Sequence, residues 1–393
     1  MSTTREDNDR AKARVGTTVD RKWRLDALVA NSSVAATYKA THRNGVETAL
    51  KILHRSQSTY APVVERFLQE AHLANRIDHP GVERVLDDGK TEDGCVFLVM
   101  ELLAGDTLED RRSAAGGKLA LDDALPAFDG FLDALIAIHT AGVFHRNLKP
   151  ANVFLTTDGR VVLTDFGRAR LAERDAKAAL SVEGLVLGTP AYMSPEQAQG
   201  KRSQIDASSD IWSAGAILFT TLTGRRVHEG SSNHERLLHA QTKPAPRIAS
   251  LLPELAPAVA DVIDRALAFE KKDRWPSASE MRRAFWLATG RDESTLPVGT
   301  KPGAPKADQS SPAAPVRSEA SQWLQDATAK SDDAEDLLPP PVAAFVKSDP
   351  SVALHNASPA RGSKRSRATL LAIVAALLFV GCVAGIIVFT FAD

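Results

Sequence analysis

Several polar residues of types that can do chemistry fall in short motifs along the chain. Lys51 closes the run Ala49-Leu50-Lys51, and Glu70 follows on the next periodic segment. Next come His145-Arg146-Asn147-Leu148-Lys149-Pro150-Ala151-Asn152 and Asp165-Phe166-Gly167. Gly188-Thr189-Pro190-Ala191-Tyr192-Met193-Ser194-Pro195-Glu196, Asp210-Ile211-Trp212-Ser213 and Asp273-Arg274-Trp275 complete the series. Ammonium groups suit phosphate charge, while carboxylate and amide oxygens are hard donors that suit Mg²⁺. With only Cys95 and Cys382 in the chain, a cysteine-rich zinc site and a disulfide scaffold are excluded. A formal net charge of -1 argues against a nucleic-acid partner held by a strong basic field.

Such groups need elements to hold them. Asn44-Gly45 separates Ala36-Thr37-Tyr38-Lys39-Ala40 from Glu47-Thr48-Ala49-Leu50-Lys51-Ile52-Leu53. That predicts a hairpin with a two-residue turn, both positions at positive φ. Asp93-Gly94 repeats the device before Cys95-Val96-Phe97-Leu98-Val99-Met100, a short buried strand. Helical periodicity runs over 63–76, 124–140, 210–222 and 257–270. Strands and one helix come first and helices dominate later, so the fold class is α+β: a small sheet-rich lobe, then a larger helical one.

Outside this region the chain changes character. Residues 1–20 are polar, lack the apolar stretch of a signal peptide and read as a flexible arm before a domain over 21–290. Residues 291–367 hold ten of the 21 prolines and read as a disordered linker, with a short helix expected over 318–329 around the lone aromatic Trp323. Residues 368–392 contain no charged side chain, long enough for one transmembrane helix. Lys364, Arg365 and Arg367 precede it and put the domain on the cytoplasmic side of a single-pass membrane protein. Gly381-x-x-x-Gly385 has the spacing of a helix-dimer face, which allows a homodimer.

The ordered motifs resemble the eukaryotic-like serine/threonine protein kinases of bacteria, over residues 21 to about 288. The resemblance implies a bilobal protein-kinase fold, ATP and Mg²⁺ as cofactors, and a protein substrate or partner. By it, Lys51 holds the α- and β-phosphates and Glu70 fixes that lysine. Asp165 carries Mg²⁺, Asn152 coordinates a second metal, and Lys149 reaches the γ-phosphate. Ala49 lies on the adenine, and the backbone at 101–103, from Glu101 to Leu103, forms the hinge that hydrogen-bonds it. Glu196 with Arg274, and Asp210, His145 and Phe166, are implied as scaffold.

The pattern also breaks. Asn147 stands where the family has the aspartate that orients the substrate hydroxyl and accepts its proton. An amide has no useful basicity near neutral pH, and a positioned base contributes roughly 10²–10⁴-fold, or about 3–5.5 kcal/mol. The glycines of the phosphate-covering loop fall at Ala30, Ser32 and Ala35, all replaced. Holding a Cβ in the left-handed region costs about 1–2 kcal/mol per residue, so this hairpin is expected to take another shape. Thr37 puts a hydroxyl over the adenine surface, and Phe154 replaces the leucine beneath it. Glu183 occupies a position where the resembled kinases carry a phosphorylated threonine, and could pair with Arg146 as a permanent charge. The expectation is a membrane-anchored pseudokinase or allosteric scaffold that binds Mg²⁺-ATP weakly. A low-activity kinase is the alternative enzyme, and a pure membrane adaptor acting through the linker would need none of these side chains.

Overall fold

The computed structural model describes residues 5–166, 170–171 and 190–295. The small lobe begins with helix α1 (Arg5–Ala13), followed by strands β1 (Thr18–Val19), β2 (Trp23–Asn31), β3 (Ala35–His42) and β4 (Glu47–Leu53). Helices α2 (Arg55–Ser58) and α3 (Ala61–Ala74) precede β5 (Val85–Lys90) and β6 (Val96–Glu101). The strands form one six-stranded sheet in the order β1-β2-β3-β4-β6-β5.

Because side chains alternate along a strand, the sheet has two distinct faces. Tyr38, Leu50, Ile52, Phe97 and Val99 pack on one, together with Ala11 of α1. Leu53, Leu98 and Met100 pack on the other against Val64, Phe67, Leu68 and Ala71 of α3. Lys51 pairs across the sheet with Thr37 and Leu98. It shares the α3 face with Ala49 and Leu53, so it is aimed at Glu70.

Two expectations are corrected here. The supposed arm over 1–20 contains α1, docked on the sheet. Ala11 is 2% exposed, and its carbonyl accepts the Tyr38 hydroxyl at 2.8 Å. Asn31 donates to Asn8 at 3.0 Å and Arg14 pairs with Asp93 at 2.8 Å. The arm's polarity concealed this, because α1 is held by specific polar contacts around two buried residues, Asp7 and Ala11, rather than by an apolar stripe. The β3–β4 hairpin exists as expected, but its turn spans 43–46 and only Gly45 has positive φ, at 91°. The Asn44 side chain accepts from the Val46 amide at 3.1 Å, closing the turn without a left-handed asparagine.

After the short strand β7 (Gly105–Thr107), the large lobe comprises α4 (Leu108–Ala114), α5 (Leu121–Thr140), β8 (Val143–Phe144), β9 (Val153–Thr156) and β10 (Val161–Leu163). Then come β11 (Arg170–Leu171), α6 (Pro195–Ala198), α7 (Ala207–Thr223), α8 (Asn233–Thr242), α9 (Pro257–Ala266) and α10 (Ala278–Ala288). α7 is buried along nearly its whole length. It starts at an Asp206 cap and stops at Gly224, whose φ of 71° ends the helix in the left-handed region. Phe128, Phe131 and Leu135 of α5, Ile217 and Phe219 of α7, and Phe285 of α10 share its core. Arg282 of α10 ties to Asp129 and Asp133 of α5 at 2.8 and 2.7 Å. β7, β9 and β10 form a small sheet, and β8 pairs with β11. The bilobal protein-kinase architecture is therefore present, with Asn147, Lys149 and Asn152 between β8 and β9 and Asp165 after β10.

Glu183, the expected linker beyond residue 295 and the apolar run at 368–392 lie outside the described residues. Among the described residues, no helix is long and apolar enough to cross a membrane.

Candidate active site

Lys51 Nζ donates to Glu70 Oε1 at 3.0 Å and Oε2 at 3.3 Å, and stands 3.7 Å from Asp165 Oδ1. Burial works against the Lys51 ammonium, but the charges of Glu70 and Asp165 outweigh it and push its pKa up. The lysine is thus a fixed cation, held where β4 and α3 face each other.

The loop between β8 and β9 is built on Asp210. Its carboxylate accepts from the His145 amide at 2.9 Å, the Arg146 amide at 2.8 Å and His139 Nε2 at 3.0 Å. Burial pushes this carboxyl up, and the His139 hydrogen bond and charge more than reverse that, holding it below its ordinary value. With both amides clamped, Arg146 is kept at φ 62°, a conformation non-glycine residues adopt only when their surroundings impose it. His145 Nε2 donates to the Thr164 carbonyl at 3.2 Å while Nδ1 accepts from the Asn147 amide at 3.3 Å. That pairing defines a neutral imidazole, consistent with burial lowering its pKa. Its ring packs on Phe166 at 4.9 Å.

Asn147 and Asn152 converge on Asp165. Asn147 Nδ2 donates to Asp165 Oδ2 at 2.9 Å. Asn152, 5% exposed, donates through Nδ2 to the Asn147 carbonyl at 2.8 Å and to Asp165 Oδ2 at 3.4 Å. Its amide nitrogen is therefore engaged, which orients its oxygen as a free acceptor. Asp165 itself sits at φ 65° and is 38% exposed. One carboxylate and one oriented amide oxygen are hard donors that fit Mg²⁺, an ion that commonly takes few protein ligands and fills its shell with water and phosphate. Among the described residues no cluster of three His, Cys, Asp or Glu side chains forms a metal site. Asn152 and Asp165 are accordingly the residues that would hold the ion.

Ala30 lies opposite Thr37 in the β2–β3 hairpin, and Ser32 forms its tip. None of Ala30, Ser32 and Ala35 takes positive φ. Ser32 Oγ accepts from the Val34 and Ala35 amides at 3.3 and 3.1 Å. It also donates to the Ala35 carbonyl at 2.9 Å. His54 donates to the Ser32 carbonyl at 2.8 Å. The hairpin thus engages the Ser32, Val34 and Ala35 amides within itself, and these are donors a phosphate cradle would need free.

Ala49 and Phe154 are half-buried, as are Glu101 and Leu103 at the lobe junction. The Glu101 side chain is engaged by the Arg84 amide at 3.2 Å and by Arg160 at 3.5 Å, and the Glu101 amide itself donates to the Arg84 carbonyl at 3.0 Å. Lys149 lines a cavity of about 380 Å³ whose lining does not include Asp165. The scaffold pair is closed: Arg274 meets Glu196 in a bidentate contact at 2.8 and 2.9 Å, with both residues buried.

The sequence reading missed Glu83. It donates its amide to the Leu163 carbonyl at 3.1 Å, beside the Val82–Leu163 bridge. Its carboxyl lies within electrostatic reach of Lys51, Glu70 and Asp165, and burial, opposed by Lys51, pushes it up to about 8. The only signal was one acidic residue between Val82 and Arg84, just before β5, which looks like any edge charge until the fold brings β10 beside it.

Residues 28–287 match the family described as Protein kinase domain. The serine/threonine-protein kinase pkn2 of Myxococcus xanthus is 37% identical over 250 residues, covering 62% of this chain and 29% of that protein. Pkn1 of the same organism is 33% identical over 298 residues, 75% of this chain and 42% of that protein. This chain therefore spans less than half the length of either relative. PknA of Mycobacterium tuberculosis is 32% identical over 297 residues, 74% of this chain and 66% of that protein. The solved kinase domain of Mycobacterium tuberculosis PknI superposes with a TM-score of 0.55 at 24% identity, covering 70% of this chain and 98% of that one, a likeness of fold.

Proposed function

This chain belongs to the protein kinase family, among the eukaryotic-like serine/threonine kinases of bacteria, and from that premise we propose that it acts as a pseudokinase: a signalling scaffold that binds Mg²⁺-ATP weakly and transfers phosphate poorly. The observation that carries this reading is the Asn147 side chain at the position of the base. It directs a donor, Nδ2, at the Asp165 carboxylate at 2.9 Å, and neither of its polar atoms can accept a proton from a hydroxyl near neutral pH.

When bound, Mg²⁺ would neutralise phosphate charge. The chain's own residues divide the remaining work. Lys51, fixed by Glu70, supplies a positioned cation. Asn152 and Asp165 offer hard oxygens. The β2–β3 hairpin contributes little, because its amides are already bonded to Ser32. Binding is therefore retained and weakened, while the proton-accepting group is lost. The single-pass membrane anchor at 368–392, with Lys364, Arg365 and Arg367 on its cytoplasmic side, belongs to the same proposal and is supported by the charge pattern alone. Protease added outside intact cells should leave the kinase domain uncut; its digestion would reverse the topology.

A weak but genuine serine/threonine kinase is the second reading. The intact Lys51–Glu70 pair at 3.0 Å favours it. Turnover of the purified full chain with labelled ATP decides between them. The proposal expects a rate orders of magnitude below the usual range of about 1–100 s⁻¹, and Lys51→Met must remove whatever signal remains.

A further inference from the structure

The cavity beside Lys149 is lined by Lys149, Pro150 and Ala151 of the loop between β8 and β9, and Asp165 is not part of its lining. Its walls carry Glu109 and Arg112 of α4, Lys149, Tyr192, and Arg226 and Glu229 from the segment after α7. Glu109 and Arg112 are engaged with each other, with contacts at 2.7 and 3.1 Å. Arg112 also donates to the Gly117 carbonyl. Glu229 is half exposed and has Arg225 at 3.8 Å. Lys149 and Arg226, by contrast, make no ion pair among the described residues. Two uncommitted cations thus remain in the wall of a cavity of about 380 Å³, room enough for a side chain and some backbone. Burial pushes the pKa of the Tyr192 hydroxyl up.

We infer that this cavity receives an anionic side chain from a protein segment docked along the catalytic loop, with Lys149 and Arg226 as its charge partners. This rests on the reading that a protein partner or substrate binds this face. It adds the chemical class of that partner: an acidic segment, carboxylate or phosphorylated, rather than a basic one. A cation-bearing segment would place like charge against both uncommitted groups, and such opposition selects against wrong partners.

The test is a fluorescence-anisotropy titration of the full chain with labelled peptides of equal length. They carry a serine flanked by glutamates, by glutamines, by lysines or by phosphoserine. The anionic peptides should bind about tenfold or more tighter than the glutamine peptide, with the lysine peptide weakest. The order of the glutamate and phosphoserine peptides tells which anion is preferred. The preference should shrink as salt rises. Arg226→Glu should abolish it and Arg226→Lys retain it, while the thermal shift with Mg²⁺-ATP stays as in the wild type, showing that the fold and the nucleotide site are intact. Equal binding of all the peptides, or a preference that survives Arg226→Glu, overturns the assignment. A phosphotransfer rate in the normal kinase range would contradict the pseudokinase reading and leave this one standing, so the two failures are distinguishable.

Discussion

On the large-lobe side of the cleft, Asp210 clamps two successive backbone amides and His139, and Glu196 grips Arg274 through two buried hydrogen bonds. On the small-lobe side, the β2–β3 hairpin directs its amides to its own Ser32 and leaves a closed tip. The first region fixes the backbone of the catalytic loop whatever side chain stands at 147. The second has its Val34 and Ala35 amides engaged on Ser32, so under the pseudokinase proposal it offers phosphate fewer donors. A kinase frame can therefore stay whole while two of its chemical parts are altered, because frame and chemistry rest on different residues.

The comparison breaks most visibly at the buried pair. Arg274→Ala should leave the Glu196 carboxylate unpaired in the core and destabilise the protein by about 3–5 kcal/mol. Chemical denaturation reads this directly, and a loss under about 1 kcal/mol would remove the pair from the frame.

The next effect is pH-dependent. The folded Glu83 carboxyl has a pKa of about 8 against an ordinary 4.5. The folded state then holds its proton more tightly than the unfolded one. Stability should fall as pH rises from the ordinary value towards 8, the reverse of a carboxyl held by a cation. Glu83→Gln should flatten that part of the melting-temperature profile in the nucleotide-free protein. Identical profiles would mean that Lys51 keeps Glu83 ionised.

Nucleotide affinity sharpens the contrast between the walls. Glycine at positions 30, 32 and 35 together should free the hairpin and tighten Mg²⁺-ATP binding. Because ligand stabilisation follows RT ln(1 + [L]/Kd), the thermal shift at fixed ATP should grow. An unchanged shift would show that the hairpin does not limit binding. The smallest effect belongs to Ser32→Ala alone. It removes one acceptor from a partly exposed tip and should destabilise by about 1 kcal/mol or less, measured by denaturation. A larger loss would mean that the tip also holds α1 in place.

Much of this was legible in the sequence. Lys51, Glu70, Asn147, Asn152 and Asp165 converge because motif spacing encodes the loop lengths between fixed elements. The two lobes followed from strand runs giving way to helical periods. What stayed hidden depended on contacts distant in the chain. α1 reads as a polar arm because its partners are distant in the chain: Tyr38 on β3 and Asn31 on β2, while Arg14 just after it meets Asp93 in the β5–β6 turn. Glu83 reads as an edge charge because Lys51 and Asp165 reach it only through folding. The donor role of Asn147 could not be seen either: sequence gives an amide, and only geometry tells which of its two ends faces Asp165.

The central claim is that an intact frame surrounds a missing proton acceptor, and Asn147→Asp in the full chain tests it most directly. The substitution replaces the donor facing Asp165 with a second carboxylate, which must turn away from the first because like charges that close oppose ionisation. It would then face the position of the substrate hydroxyl. Single-turnover transfer of labelled phosphate, wild type beside Asn147→Asp, should show a very slow wild type and a gain of about 10²-fold or more, short of full activity because the hairpin remains closed. A wild-type rate already in the normal kinase range, or no gain from the restored carboxylate, would contradict the account.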